Sequence, residues 1–281
     1  STYNTFNVGV SGTGTLCISG GEVTAGSIHV GSNAGSSGVV TLSSGTLSVT
    51  SNYFYLGRYG EGSLHVDGGL LKSGTSNYFY VGYGTGSTGS MLISNGEARL
   101  GRFFIGTGSG VVGQVTLSGG TLSVSSYSYI GTNGTGSLLI SGGTATMGPV
   151  VLGYSAPGTG TLTLTGGTMR MNSSFSVGYS GSGTVHVNGG TATVGGTFSL
   201  GMYTNSSGVM TVSSGSLALG STASVGYWGK GSLHVNGGAV TLAGALLVGS
   251  GSAATGTMTV SGGSLVASTA TLGHYGTGSM Y

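Results

Sequence analysis

The residues of this chain that could do acid–base chemistry are few and scattered. Its only acids are Glu22, Glu61, Asp67 and Glu97, so no carboxylate follows position 97 in a chain of 281 residues. Enzymes that cleave polysaccharides place carboxylates, often with a base, around one bond. A calcium-binding β-roll needs a repeated aspartate, which the single Asp67 cannot supply. We therefore expect no enzymatic activity and no catalytic residue.

Three of the five histidines fall at one position of a repeated segment, which raises the question of a metal site. That column reads Cys17, Thr41, His65, Leu92, Thr116, Leu139, Thr163, His186, Thr211, His234, Thr259. Its nearest histidines are His186 and His234, which lie two coils apart because Thr211 occupies the coil between them. Two steps of a parallel β-stack span about 9.6 Å, whereas zinc binds imidazole nitrogen at about 2 Å. We expect outward histidines that are interchangeable with threonine, and neither a metal site nor a cofactor.

Charge and composition narrow the class of partner. Charged residues make up 4% of the chain and the formal net charge is +2, so no basic patch points to nucleic acid. No uninterrupted apolar run approaches the roughly 18 residues of a membrane helix, and we expect no membrane insertion. The frequent Gly-x-Gly segments lack the strand–turn–helix context of a nucleotide site. The first residue is Ser, which fits a processed chain or an excised fragment.

The dominant pattern is an internal repeat. A pair ending in glycine recurs about eleven times, and its second glycines are Gly21, Gly45, Gly69, Gly96, Gly120, Gly143, Gly167, Gly190, Gly215, Gly238 and Gly263. The steps between them are 23 to 27 residues. A repeat of this length over a whole chain predicts a solenoid, in which each unit contacts only its neighbours.

Each repeat contains three short segments in which apolar and polar residues alternate, as they do in strands. One strand precedes the double glycine with inward pairs such as Leu64/Val66, and one follows it with pairs such as Leu122/Val124. A third ends on an apolar residue and a closing glycine, as in Phe54 to Gly57. Glycine suits these corners because they often need positive φ. The pattern predicts one all-β domain over 1–281, a right-handed parallel β-helix of about 11–12 coils of about 24 residues, without evident caps.

The motif Gly-x-Gly-[Ser/Thr]-apolar-x-apolar-[Ser/Asn/Asp]-Gly-Gly is clearest at 60–69, 134–143, 158–167, 181–190, 229–238 and 256–263. It resembles the type V secretion/PEP-CTERM-associated repeat and, more loosely, the autotransporter-associated β-strand repeats of exported bacterial surface proteins. The resemblance covers essentially the whole chain. It implies an extracellular, passenger-like region and carries over no catalytic residues. The signal peptide, C-terminal translocator and sorting tail of whole family proteins are not visible here.

Aromatic side chains occupy outward positions of four consecutive third strands. The candidates for a lateral or ligand contact are Tyr53, Tyr55, Tyr78, Tyr80, Arg102, Phe104, Tyr127 and Tyr129. A second set follows the closing glycine: Tyr59, Tyr83, Tyr154, Tyr179, Tyr203, Tyr227 with Trp228, and Tyr275. Stacked tyrosines could simply cover the solenoid. Alternatively, they form a surface for a neighbouring rod, for glycan or for a cell surface, because large exposed apolar patches usually bind something.

The chain enters and leaves the repeat in mid-pattern. Either it is part of a longer solenoid, or copies stack end to end, and we expect such stacking to build a filament or surface stalk. The axial candidates are Phe6, Val8, Tyr275, Met280 and Tyr281, within 1–9 and 274–281. The sequence thus predicts a structural extracellular protein whose partner is itself, head to tail and by lateral bundling. The alternatives are an adhesin that binds glycan through the aromatic ladder, and an ice-binding solenoid that uses the interrupted threonine column.

Overall fold

The computed structural model describes residues 4–281, and these residues form one continuous stack of parallel strands without a helix. The predicted all-β solenoid is confirmed. Its strands, in chain order, are β1 (Thr5–Val8), β2 (Thr13–Ala25), β3 (Ser27–Val30), β4 (Ser37–Val49), β5 (Tyr53–Leu56), β6 (Glu61–Val66), β7 (Leu70–Ser73), β8 (Tyr78–Val81), β9 (Thr88–Ile93), β10 (Glu97–Leu100), β11 (Arg102–Ile105), β12 (Val112–Leu117), β13 (Thr121–Val124), β14 (Ser128–Ile130), β15 (Thr135–Ile140), β16 (Thr144–Met147), β17 (Val150–Leu152), β18 (Thr159–Leu164), β19 (Thr168–Met171), β20 (Phe175–Val177), β21 (Ser182–Val194), β22 (Phe198–Leu200), β23 (Ser207–Leu219), β24 (Ala223–Val225), β25 (Lys230–Val235), β26 (Ala239–Val248), β27 (Thr255–Val260), β28 (Ser264–Leu272) and β29 (Thr277–Met280).

Three columns of strands run along the solenoid, one for each strand of the repeat. The first column stacks β2, β4, β6, β9, β12, β15, β18, β21, β23, β25, β27 and β29. The third column stacks β1, β3, β5, β8, β11, β14, β17, β20, β22, β24, β26 and β28, and the second lies between them in each coil. Equivalent residues of successive coils are direct partners, so that Leu64 pairs with Val40 before it and with Met91 after it. Each coil therefore templates the register of the next.

The sequence pattern predicted separate strands on the two sides of the double glycine. In several coils, the strand instead continues through it. First and second strands merge in β2, β4, β21 and β23, and second and third strands merge in β26 and β28. The pairing of β2 with β4 shifts register twice, between Ile18 and Ser19 and between Ser19 and Glu22. A local register shift lets the backbone bend while the ladder continues, as in a β-bulge.

The interior is filled by the apolar side chains that the alternation assigned to it. They form one cluster that extends from Val8 to Met258. Phenylalanine rings stack within it, with 4.4 Å between the ring centroids of Phe54 and Phe79 and 5.8 Å between those of Phe79 and Phe103. Apolar burial of this kind is the main stabilising term in folding, and here most of it lies between coils.

Glycine is required at the corners. Gly131, which closes the third strand of its coil, has φ of 72°, and a Cβ there would overlap the carbonyl oxygen of Thr159. The eleven second glycines of the double-glycine pairs and the twelve closing glycines all have positive φ. The prediction of positive φ at these corners is confirmed.

Candidate functional site

The structure confirms the predicted histidine column. His186 pairs with Thr211, and Thr211 pairs with His234. Within residues 4–281, no three side chains of His, Cys, Asp or Glu form a cluster that could hold a metal ion, and the free Cys17 is exposed. The same residues contain no helix long and apolar enough to cross a membrane.

Three of the four acids, Glu22, Asp67 and Glu97, make local contacts on the surface. Glu22 lies 3.3 Å from Lys72, and Glu97 lies 2.6 Å from Arg99. Hydrogen bonding from Thr24, together with the nearby Lys72, lowers the pKa of Glu22. Ser94 donates a hydrogen bond of 2.7 Å to Asp67. These contacts link neighbouring positions of the coils and do not converge on a cleft.

The aromatic side chains do converge, and the predicted ladder on the third column is in register. Tyr53 pairs with Tyr78 and Tyr55 with Tyr80, and Phe104 pairs with Tyr129. The ring centroids are 5.2 Å apart for Tyr55 and Tyr80, 4.9 Å for Tyr80 and Phe104, and 5.1 Å for Phe104 and Tyr129. Tyr127 lies just before its strand, is 50% exposed and stacks on Tyr129.

The second aromatic set occupies two different positions after the closing glycine, although the sequence pattern was interpreted as a single position. Tyr83, Tyr154, Tyr179 and Tyr227 directly follow a closing glycine, whereas Tyr59, Tyr203, Trp228 and Tyr275 stand one residue later. Tyr154 stacks on Tyr179 at 5.1 Å, and Tyr179 meets the Tyr203 ring at 4.8 Å, edge to face. The Tyr154 ring also meets the Tyr129 ring at 5.0 Å, so the two predicted sets form one stack.

We call this stack, with the rings beside it, the aromatic face. Its central rings are His29, Tyr55, Tyr80, Phe104, Tyr129, Tyr154, Tyr179 and Tyr203, and its flanking rings are Tyr53, Tyr59, Tyr78, Tyr83 and Tyr127. Eight consecutive coils each contribute one central ring. Offset-stacked and edge-to-face ring pairs each add about 0.5–1.5 kcal/mol beyond their burial, so the face stabilises the coil stack from outside.

The side chains of the ladder differ in how much of their surface is exposed to solvent. Tyr55 points outward, as predicted, but only 7% of it is exposed, because the rings of His29, Tyr53, Tyr80 and Tyr83 surround it. Burial raises the pKa of Tyr55 and of Tyr80 and lowers the pKa of His29 to about 4. Tyr53 is 38% exposed and Tyr127 is 50% exposed, so these two are the ladder tyrosines with the most accessible rings, and Tyr55 packs beneath Tyr53.

Two arginines lie against the aromatic face. The guanidinium carbon of Arg102 lies 4.6 Å from the centroid of the Tyr78 ring, and that of Arg58 lies about equally far from the rings of Tyr55 and Tyr59, at 5.5 and 5.4 Å. Such distances are typical of cation–π contacts. Neither arginine belongs to either ion pair found among the described residues. The face thus joins aromatic rings with positive charge.

The axial candidates lie in the first and last coils of the described chain. Phe6 is 38% exposed, Tyr275 is 74%, Met280 is 47% and Tyr281 is 75% exposed. Val8, the remaining axial candidate, points inward and is only 4% exposed. Residues 1–3 of the predicted axial segment lie outside the described residues. The sequence reading missed Leu272, an inward-column side chain that is 48% exposed because no coil covers β28.

Comparison with known proteins found no matching family model, no matching curated protein and no matching solved structure.

Proposed function

We propose that this protein is a structural extracellular rod that elongates by axial β-stacking, end to end, into a filament or surface stalk. The observation that supports the proposal is the constant register of the columns. In the proposed contact, the first described coil of one copy stacks on the last coil of another in that same register. Strand β1 continues the column that ends at β28, and β2 continues the column that ends at β29. A following coil would form the same contacts whether it belonged to the same chain or to a second copy.

Side-chain sizes support this contact. In the third column Phe6 occupies the same position as Ile28, Phe54, Phe198, Ala223, Leu246 and Ala270. Phe6 of one copy would therefore meet Ala270 of the next. The solenoid already contains such a pairing of large and small residues, between Phe198 and Ala223. Unpaired strand edges of this kind pair readily with other chains.

The extracellular location rests on composition and on the repeat motif. The chain has few charges and many short polar side chains, and its motif resembles repeats of exported surface proteins. The absence of an acid–base cluster supports a structural role over an enzymatic one. In this proposal, the partner of the end coils is another copy of the chain.

The test compares two lysine substitutions in the same strand. Ala270→Lys places a charge at the inward position of the end coil, whereas Thr271→Lys places it at the neighbouring outward position, and both sites are exposed. Electron microscopy and sedimentation at neutral pH should show filaments for the wild type and for Thr271→Lys. Ala270→Lys should give separate rods of roughly 55 Å, the length of eleven to twelve coils. Uniform single rods from the wild type would refute the proposal.

A second candidate function is adhesion through the aromatic face. The two arginines without carboxylate partners and the exposed rings of Tyr53 and Tyr127 favour it, because such a surface can stack on sugar rings and attract acidic groups. The double variant Tyr78→Ala/Tyr80→Ala should then lose binding to a glycan array while its end-to-end assembly persists. Equal glycan binding by this variant and by the wild type would argue against adhesion at this site.

A further inference from the structure

A second aromatic feature lies apart from the central stack, near the last coils. A cleft of about 290 Å³ is lined by Tyr227, Trp228, Leu247, Ser250, Gly251, His274 and Tyr275. Its volume is near the lower end of small-molecule sites, which span about 300–1,000 Å³. The cleft is therefore large enough for one small ring and its substituents.

The sequence explains why a cleft opens at this point. The two positions after the closing glycine read Tyr227-Trp228 in one coil, Ser250-Gly251 in the next and His274-Tyr275 in the third. A pair of small residues is thus flanked by two aromatic pairs. The Trp228 ring lies so close to the backbone of Gly251 that a Cβ there would overlap it, so glycine is needed for this ring position.

The cleft also contains a polar group without a partner. Ser250 is only 7% exposed, and its Oγ has no hydrogen-bond partner among the described residues. Thr107 and Thr132 occupy the same column and also have unpartnered hydroxyls, but neither has aromatic pairs in the coils on both sides. A buried hydroxyl without a partner costs about 1–3 kcal/mol, and a ligand hydroxyl could remove that penalty.

From these features we propose that the cleft binds a neutral pyranose ring of a saccharide. A pyranose presents a flat C–H face, which suits the rings of Trp228 and Tyr275, and hydroxyls at its edge, which suit Ser250. A purely apolar ligand would leave the Ser250 hydroxyl unpaired. No Asp, Glu, Lys or Arg lines the cleft, so it offers no carboxylate, ammonium or guanidinium group to pair with an ionised ligand. This site is separate from the aromatic face, whereas it shares His274 and Tyr275 with the axial segment 274–281. The argument for ligand binding uses neither of the two proposals above.

The test uses the tryptophan as its reporter. Trp228 is the only tryptophan of the chain, so its fluorescence reads the cleft directly. Titration with methyl glycosides of neutral hexoses should give a saturable change of emission with a millimolar Kd. A linear polyol and methyl glucuronide serve as ligand controls, and neither should give a saturable response at the same concentrations.

Variants assign the response to the cleft. Tyr275→Ala and Ser250→Ala should each weaken binding about tenfold. Leu139→Ala, at an exposed apolar side chain of β15 outside both the cleft and the aromatic face, should leave binding unchanged. Circular dichroism checks that each variant stays folded. Tighter binding of a neutral oligosaccharide than of the methyl glycoside, lost in the same variants, would identify a polymer as the source of the ring.

Several results would overturn the proposal. These are an absence of saturable change with every methyl glycoside, an equal response to the linear polyol, and an unchanged response in Tyr275→Ala. Saturable binding of phenol without binding of any glycoside would make the cleft a purely apolar pocket. A change of emission with protein concentration alone would assign it to contact between copies of the chain.

Discussion

The ring of Tyr129 meets the ring of Tyr154 edge-on, with 5.0 Å between their centroids and 82° between their planes. This contact joins two columns of the solenoid, because Tyr129 belongs to a strand and Tyr154 follows a closing glycine. Beyond Tyr129 the strand column continues with Val151 and Ser176, which have no ring to extend the stack. The stack therefore crosses to the neighbouring column at this point.

Replacing Tyr129 by alanine should divide the stack in two. Tyr129 contacts Phe104, Tyr127 and Tyr154, so the variant loses three ring pairs and the burial that accompanies them. We expect a local loss of about 2–3 kcal/mol, since each ring pair adds about 0.5–1.5 kcal/mol beyond its burial. Hydrogen exchange of the amides in β14 and β17 measures this loss, because coils of a solenoid open locally.

Two further variants test whether the ring itself is responsible. Tyr129→Phe keeps all three ring contacts and should retain nearly all of the protection in β14 and β17. Tyr127→Ala removes a half-exposed ring that contacts Tyr129 alone within the stack and should cost less than Tyr129→Ala. If Tyr129→Phe lowered protection as much as Tyr129→Ala did, the ring stack would not be the source of the stability.

Two glycines of positive φ allow the cost of backbone strain to be measured separately from the cost of steric overlap. Gly35 and Gly131 both have positive φ, at 76° and 72°, but a Cβ at Gly35 would meet no atom within 4 Å, whereas one at Gly131 would overlap a backbone carbonyl. Gly35→Ala should cost only the left-handed conformation, about 1–2 kcal/mol. Gly131→Ala should cost more than about 4 kcal/mol, in the range that marks a severe defect. Urea unfolding measures both, and equal effects would show that overlap is unimportant.

Acid should weaken the N-terminal part of the aromatic face through His29. In the folded protein, burial beside Tyr55 and the charge of Arg58 lower the pKa of His29 to about 4, from an ordinary value of 6.5. The unfolded chain therefore binds the proton at higher pH than the folded one. Stability falls as pH decreases through 6.5, and this decrease is complete once pH passes below about 4.

The variant His29→Phe keeps a ring beside Tyr55 but does not titrate. Between pH 7 and pH 4, the wild type should lose more stability than His29→Phe does, as measured by hydrogen exchange in β3 and β5. An NMR titration should show His29 neutral down to about pH 4. Equal acid sensitivity of the two proteins would assign the effect to other groups.

The sequence predicts the architecture well because one period controls both the core and the corners. Inward alternation identified side chains such as Leu64 and Phe79, which are fully buried, and the recurring glycines identified the corners. The outward histidine column and the Tyr53 to Phe104 ladder were also placed in the right register. In a parallel stack, the position of a residue within its repeat determines which residue of the next coil becomes its neighbour.

The sequence alone could not predict contacts between columns. The Tyr129–Tyr154 contact and the cleft beside Trp228 depend on how side chains of different columns turn across a corner, which the repeat phase does not determine. A usable signal was nevertheless present in the sequence. The rings of the strand column give way to Val151 and Ser176 where tyrosines after the closing glycine resume at Tyr154. The burial of Tyr55 was missed for a similar reason, since alternation gives the direction of a side chain and not what covers it.

The C-terminal end of the stack offers a test at alkaline pH. The Tyr179 hydroxyl donates a hydrogen bond of 3.4 Å to the Tyr203 hydroxyl. This hydrogen bond, helped by partial burial, raises the pKa of Tyr179 to about 12. Because the folded protein holds this proton more tightly than the unfolded chain does, the stability from Tyr179 is present below about pH 10 and is lost as pH rises towards 12.

Replacing Tyr203 by phenylalanine keeps the ring contact and removes the acceptor. The pKa of Tyr179 should then fall towards its ordinary value of about 10, because the largest cause of its increase is gone. The difference in tyrosinate absorbance between wild type and variant during an alkaline titration measures this change, with Tyr59→Phe as a control on an exposed tyrosine that does not contact Tyr179. An unchanged titration of Tyr179 in Tyr203→Phe would mean that burial alone holds its proton.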